Sequence, residues 1–290
     1  MKLNDITKHL ITYLSDHDIT TVNYFDRVTM YLDANTREEY LTNIMDANPN
    51  NKITMKEMTP NSHLDRYLEL FQPKDIQFEE LKAISGNCAI TYVEFAIDFM
   101  TYDAQTLENL KYFFKRHVVH PTIKGKTRIF YHYNFKGSGG GGGLNETNYS
   151  SSEEDDHRMV DYIDDEARND PDQKCQHVEY RIRGLNSVKN QGIITINNLL
   201  NFDHIPLWDH LLDIRKYNLT ELGRLLDPSL PGSENAPTRK TFHKRGNKES
   251  DSIISLQSYL KNNPERESAF KEINTAEALK KLVDDIFDNK

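Results

Sequence analysis

The sequence predicts an α+β fold: a largely antiparallel sheet with helices on one face, followed by a helical C-terminal region. Three observations carry this. Several short segments alternate apolar and polar residues, as half-buried strands do. Amphipathic segments with capping residues lie between them. After Gly184 the pattern changes from alternation to helical periodicity.

Taken in order, "YFDRVTMYLD" (Tyr24–Asp33) alternates and reads as a strand. "NTREEYLTNIMDANPNN" follows as a short helix, with Asn35 or Thr36 as cap and an Asn-Pro-Asn-Asn turn at its end. "KITMKEM" reads as a strand. In "HLDRYLELF" the apolar positions 64, 67, 68 and 71 favour a helix, with a strand as the alternative. "KDIQFEELKAI" is a helix closed by Gly86. "CAITYVEFAIDFM" (Cys88–Met100) is the most apolar strand, which places it centrally in the sheet. "DAQTLENLKYFFKRHVV" is an amphipathic helix capped by Asp103, with Leu107, Leu110, Phe113 and Phe114 on its apolar face. "KTRIFYHYNF" returns as a strand.

"KGSGGGGGLNETNYSSSEEDD" has too few apolar residues to pack a core and reads as a mobile excursion over 136–156. "HRMVDYIDD" and "QHVEYRIRG" are the next strands. The stretch from "TINNLLNFDHIPLWDHLLDIRKYNLTELGRLL" onward reads as helices, broken by a Pro-, Gly- and charge-rich linker. Residues 1–226 are therefore expected to form one α+β domain, 227–252 a linker, and 253–290 a helical segment. Tyr24–Phe71 and Cys88–Ile163 read as two loose copies of strand, helix, strand.

Composition limits the function classes. The chain has 290 residues, enough for one large domain. No apolar run approaches the roughly 20 residues of a membrane span. "MKLNDITKHLITYLSD" lacks the apolar core of a signal peptide. Two cysteines, Cys88 and Cys175, fit a reducing cytoplasm and argue against both a disulfide framework and a multi-cysteine zinc site.

The net charge of −9 opposes nucleic-acid binding when taken alone. Its distribution does not. Lys111, Lys115, Arg116, Lys124, Lys126 and Arg128 fall in one acid-free stretch. Arg239, Lys240, Lys244, Arg245 and Lys248 fall in another, while Glu153–Asp172 holds ten acids against two arginines. Such asymmetry can leave a basic face on an acidic protein.

The strands place acids at a shared surface: Asp26, Asp33, Glu94, Asp98, Asp161, Asp164 and Glu179. In "VEFAID", Glu94 and Asp98 share one strand face with Ala96, while Val93, Phe95, Ile97 and Phe99 occupy the other. Carboxylates on a central strand are costly unless paired or metal-bound. In "HVEYRIRG", Glu179, Arg181 and Arg183 share a face. Carboxylates for Mg²⁺ or Mn²⁺ beside arginines for phosphate form one coherent reading; a solvated face with cross-strand ion pairs is the other. In "RMVDYIDD", Tyr162 shares a face with Arg158 and Asp164. A tyrosine of pKa about 10 needs a metal or cation to become a nucleophile. The glycine run 139–143 lacks the GK[ST] ending of a phosphate loop.

"ITYVEFAIDF", "NETNYSSSEEDDHRMVDYIDDEAR" and "HVEYRIRG", the last running into "LNFDHIPLWDHLLDIRKYNLTELGRLL", together resemble the replication initiation factor family. These are the tyrosine-dependent rolling-circle initiators of plasmids and phages. The resemblance spans Tyr24 to Leu226. It implies an initiator-like fold and a bacterial, cytoplasmic protein that nicks an origin, single-stranded or hairpin, through a 5′-phosphotyrosine link. Tyr162 falls at the nucleophile position and Glu179 at that of a catalytic acid, with Arg158 beside the tyrosine. Mg²⁺ or Mn²⁺ would sit on Asp98, Glu94 and Glu179. Lys111, Lys115, Arg116, Lys124, Lys126, Arg128, Arg181, Arg183, Lys244 and Arg245 would hold DNA. A second copy of the chain and a host helicase are the further partners it suggests. Acids replace the basic run that usually precedes the tyrosine, and Asp165 stands where a lysine commonly follows it. Two alternatives therefore stay open: a catalytically inactive DNA-binding regulator of the same fold, and an interaction protein that does not bind DNA.

Overall fold

The structure is a computed structural model. It describes residues 3–33, 36, 41–60, 62–84, 88–119, 128–133, 144–151, 157–164, 167, 172–217 and 270–288. Within these, the side chains of 84, 115, 116, 119, 128–133, 144–151, 217 and 270–272 are not described.

The centre is an eight-stranded sheet. Its strands are β1 (Thr20–Asp33), β2 (Lys52–Met55), β3 (Leu64–Phe71), β4 (Cys88–Thr101), β6 (Arg128–Tyr133), β7 (Leu144–Ser151), β8 (His157–Asp164) and β9 (Lys174–Arg183). Their spatial order is β2-β3-β1-β4-β9-β8-β7-β6, and every neighbouring pair is antiparallel. A small second sheet joins β5 (Val118–Val119), β10 (Asp213–Tyr217) and β11 (Phe270–Glu272).

One face of the large sheet is apolar. Phe25, Val28, Met30, Leu68, Leu70, Val93, Phe95, Ile97, Phe99, Val178, Tyr180 and Ile182 belong to the main core. Helices cover it: α1 (Ile6–Ser15) packs on β1, and α4 (Ala104–His117) packs on β4 and β9. The apolar stripe of α4 supplies Leu110, Phe113 and Phe114, and its Asp103 cap accepts a 2.6 Å hydrogen bond from the Thr106 amide. The short α2 (Thr42–Asp46) precedes β2, and from α3 (Asp75–Ile84) Phe78 meets Phe25 edge-on with ring centroids 5.8 Å apart. Three short helices follow β9: α5 (Leu185–Asn190), α6 (Ile196–Leu200) and α7 (His204–Leu211). The last helix, α8 (Ala276–Phe287), packs on α1 and α4 and buries Leu279, Leu282, Val283 and Phe287.

Three segments differ from their sequence reading. Leu64–Phe71 is a strand, since ladders with β1 and β2 on its two sides hold it extended and Leu68 and Leu70 are buried in alternation. Asp213–Tyr217, read as helical, pairs with both β5 and β11. Leu144–Ser151, read as part of a mobile excursion, is β7, laddered to β6 and β8. Its backbone groups find partners on both sides, and that satisfaction does not require apolar side chains. The rest of the excursion lies outside the described residues, as do the linker and residues 253–269.

Candidate metal and nucleophile site

The second face of the same sheet is polar where β1, β4, β9 and β8 meet. Alternation on β4 presents Tyr92, Glu94, Ala96 and Asp98 there. The β4–β9 register sets Arg181 opposite Glu94, Glu179 opposite Ala96 and His177 opposite Asp98. The next register sets Tyr162 opposite His177, and Arg158 opposite Arg181. β1 reaches this face through an irregularity. Its register with β4 shifts between Phe25 and Arg27, leaving Asp26 as the extra residue. Strict alternation would point Arg27 with Phe25 into the core; the bulge turns it to the polar face opposite Glu94.

These groups are charged and almost fully buried: Asp98 is 1 % exposed, Glu179 2 %, Glu94 3 % and His177 4 %. They are paired in a chain. The Arg27 guanidinium donates to Glu94 Oε1 at 2.7 Å and to Glu69 Oε1 at 3.0 Å. The Tyr92 hydroxyl also donates to Glu94 Oε1. Arg181 bridges Glu94 and Glu179, with its Nε 2.6 Å from Glu179 Oε2 and 3.3 Å from Glu94 Oε1. His177 lies between two carboxylates, Nδ1 2.6 Å from Asp98 Oδ1 and Nε2 2.8 Å from Glu179 Oε1. Tyr24 donates to the other oxygen of Asp98 at 2.8 Å. The Tyr162 hydroxyl donates to Glu179 Oε1 at 3.3 Å, and its ring lies 4.8 Å from that of His177.

Protonation follows from these contacts. Burial alone would discharge His177, yet bonds to Asp98 and Glu179 outweigh it and push its pKa up to about 10. With both ring nitrogens facing carboxylates, the imidazolium donates twice. Burial would raise Glu179, but His177 and Arg181 hold it down at about 2. Glu94 is raised, chiefly by burial and despite Arg181. Burial, then Glu179, Asp164 and Asp26, hold the Tyr162 hydroxyl well above the ordinary tyrosine range.

One carboxylate oxygen from each of Asp26, Glu94 and Glu179 lies within 4.8 Å of the other two. In an octahedral Mg²⁺ site with ligands at about 2.1 Å, opposite oxygens are about 4.2 Å apart, so the three are candidate ligands that would have to close slightly to share a hard divalent ion. Among the described residues, Glu69, Glu94, Asp98 and Glu179 pair with Arg27, Arg181 and protonated His177.

The structure thus brings Tyr162, Glu94, Asp98 and Glu179 into one cluster. Within it Asp98 is held by His177 and Tyr24, whereas Asp26 stands with the two glutamates. Arg181 belongs to the cluster; Arg183 lies one residue pair beyond it, opposite Tyr92. Lys111 is on α4, 3.6 Å from Glu108. Lys115 and Arg116 lie on α4 and Arg128 begins β6, with side chains not described; Lys124, Lys126, Lys244 and Arg245 lie outside the described residues.

Sequence reasoning missed His177, Arg27, Tyr24 and Tyr92 as members. His177 was within reach, because it precedes Glu179 by two residues on a strand of strict alternation. Arg27 was not, since nothing in "YFDRVT" announces the bulge.

No family model and no curated protein matches the chain. Among solved structures, the rolling circle replication initiator protein from Geobacillus stearothermophilus is similar at 11 % identity and a TM-score of 0.39, over 82 % of this chain and 97 % of that one. No helix among the described residues is long and apolar enough to cross a membrane.

Proposed function

We propose that the protein is a metal-dependent DNA-nicking initiator with Tyr162 as nucleophile. One observation carries the reading. Glu179 accepts the Tyr162 hydroxyl and also belongs to the carboxylate triad with Asp26 and Glu94. The attacking oxygen and a metal bound there would therefore meet at the same scissile phosphate.

Asp26, Glu94 and Glu179 would hold Mg²⁺ or Mn²⁺. When bound, the ion supplies Lewis-acid polarisation of the phosphate. The Tyr162 oxygen attacks phosphorus as its proton passes to water, and the bond from phosphorus to the 3′-oxygen breaks, that oxygen taking up a proton from water. The products are a 5′-phosphotyrosine link and a free 3′-hydroxyl. Arg181 and Arg158 offer guanidinium groups to the non-bridging oxygens. A cation held by these carboxylates would offset the burial and the acids that raise the Tyr162 pKa. Asp98 acts one step back, orienting His177 and through it Glu179.

The test is covalent adduct on a denaturing gel, with single-stranded or supercoiled origin DNA and Mg²⁺ or Mn²⁺. Wild type forms adduct, Tyr162→Phe forms none, and Glu179→Gln slows it, because an amide is a poor ligand for a hard cation. Adduct retained by Tyr162→Phe moves the nucleophile to another tyrosine. Tyr149 is then first, since β7 ladders it to Val160 one strand from Tyr162. No adduct from wild type with any metal or origin leaves the DNA-binding regulator as the reading.

A further inference from the structure

We propose that a cavity beside the carboxylate triad is a subsite for an unstacked nucleobase of the bound DNA strand. The cavity measures about 460 Å³, and its lining includes Arg27, Tyr31, Tyr67, Glu69, Tyr92 and Arg183. That size lies in the range of about 300–1,000 Å³ usual for ligand sites. It opens on the polar face of the sheet and shares a wall with the site above. Arg27 and Tyr92 line it while both donate to Glu94.

The lining matches a base with its phosphate. Three tyrosines supply aromatic surface. Tyr67 and Tyr92 are half-buried, and Tyr31 meets Tyr67 edge-on at 5.3 Å. Every base has a π-face, so stacking on such a platform is tolerant of sequence. The Glu69 carboxylate and the Thr29 and Thr91 side chains add polar groups for a base edge. The exposed Arg183 guanidinium has no ion pair among the described residues, so it is available to a phosphate. Cations already lie over aromatic rings here, Arg27 4.8 Å from the Tyr92 centroid and Lys56 5.5 Å from that of Tyr67. A base stacked beside them gains from the same positive surroundings. A nucleotide seated here would lie beside Arg27, whose guanidinium also holds Glu94. The cavity would then fix the strand's position relative to Tyr162.

This subsite rests on the proposed function only in taking a DNA strand as the ligand, and its test is built to fail separately. Binding is measured on the Tyr162→Phe protein, which cannot form adduct, by fluorescence anisotropy. The probes are oligothymidylate of about 20 nucleotides and an abasic deoxyribose-phosphate strand of equal length and charge. The protein should prefer the strand with bases by about 5-fold or more. Tyr67→Leu should bring that ratio toward one, and Tyr67→Phe, which keeps the ring, should preserve it. Arg183→Gln should weaken both strands and leave the ratio unchanged. Irradiating a 5-iodouracil strand should crosslink Tyr31, Tyr67 or Tyr92, a readout that needs no variant to fold. An unchanged ratio in folded Tyr67→Leu, or crosslinks only outside the cavity, overturns the assignment. So does displacement of the strand by micromolar thymidine monophosphate, which would make the cavity a site for free nucleotides. Base-dependent binding without adduct in wild type sinks the nicking reading alone. Adduct in wild type with an unchanged Tyr67→Leu ratio sinks the subsite alone.

Discussion

Two histidines on opposite sides of one sheet have pKa values moved in opposite directions. His177, on β9, is pushed up to about 10 between Asp98 and Glu179. His204, the first residue of α7, is pushed down to about 4 by burial, with Asp203 only partly offsetting it. Its ring lies 4.8 Å from Phe25 and 5.2 Å from Phe202, and its Nδ1 has no hydrogen-bond partner among the described residues. The two faces of β4 and β9 are buried to a similar degree, so burial alone does not set the charge state. Neighbours do: aromatic rings on one face discharge an imidazole, and carboxylates on the other charge it. The apolar face contributes stability in proportion to area removed from water. The polar face holds paired ions whose mutual attraction roughly offsets their desolvation.

Truncation should expose that difference most strongly. Phe99 is fully buried and packs on Phe114 at 4.9 Å. Phe99→Ala should cost about 3–5 kcal/mol by chemical denaturation. Glu94→Gln, with similar burial, keeps its shape and an acceptor oxygen. In EDTA it should cost only about 1–2 kcal/mol. Added Mg²⁺ should then raise the melting temperature of wild type but not of this variant. If Glu94→Gln proves as costly as Phe99→Ala, the polar face is a structural element, and the contrast fails.

The sequence made the apolar face and the larger share of the polar one legible. Alternation in "VEFAIDF" and "VEYRIR" assigned Glu94, Asp98, Glu179 and Arg181 to one side and the phenylalanines and branched residues to the other. It worked because β4 and β9 hold a continuous register from Tyr92 to Thr101. It failed on β1, where one extra residue reverses parity and brings in Arg27 beside Asp26. β3 and β7 were misread for a related reason: their strand character comes from neighbours on both edges, and a ladder partner distant in sequence leaves no local periodic trace. The pairing of Asp98 with His177 belongs to tertiary register as well, which is why Asp26 was not preferred to it as a ligand.

A smaller effect concerns the charged histidine. With its folded pKa raised above the unfolded value of about 6.5, His177 stabilises the fold fully below that pH. Its contribution declines as pH rises through about 10. Glu179, depressed to about 2, contributes above its ordinary value of 4.5, and that contribution is lost as pH falls through 2. In EDTA, wild-type stability should therefore fall between pH 7 and 10, and His177→Gln should flatten that slope. An unaltered slope would mean that His177 is neutral in the folded protein, with one of its two carboxylate bonds lost.

The smallest effect tests the other histidine, and its sign is opposite. The folded pKa of His204 is depressed, so the unfolded chain takes up a proton first as pH falls below about 6.5. The protein therefore loses stability progressively from there through about 4, where the folded form also protonates. His204→Gln removes this titration while keeping a polar side chain of similar length at the start of α7. The stability difference, wild type minus variant, should decrease by about 1–3 kcal/mol between pH 7 and pH 4. Taking that difference at each pH cancels the carboxylates common to both proteins, provided they lie far enough away to act independently. Asp203 adjoins His204 and opposes the shift, so Asp203→Asn should steepen the wild-type decline. A difference that stays constant across this range would place His204 in contact with water rather than with Phe25 and Phe202. The contrast between the two faces would then rest on His177 alone.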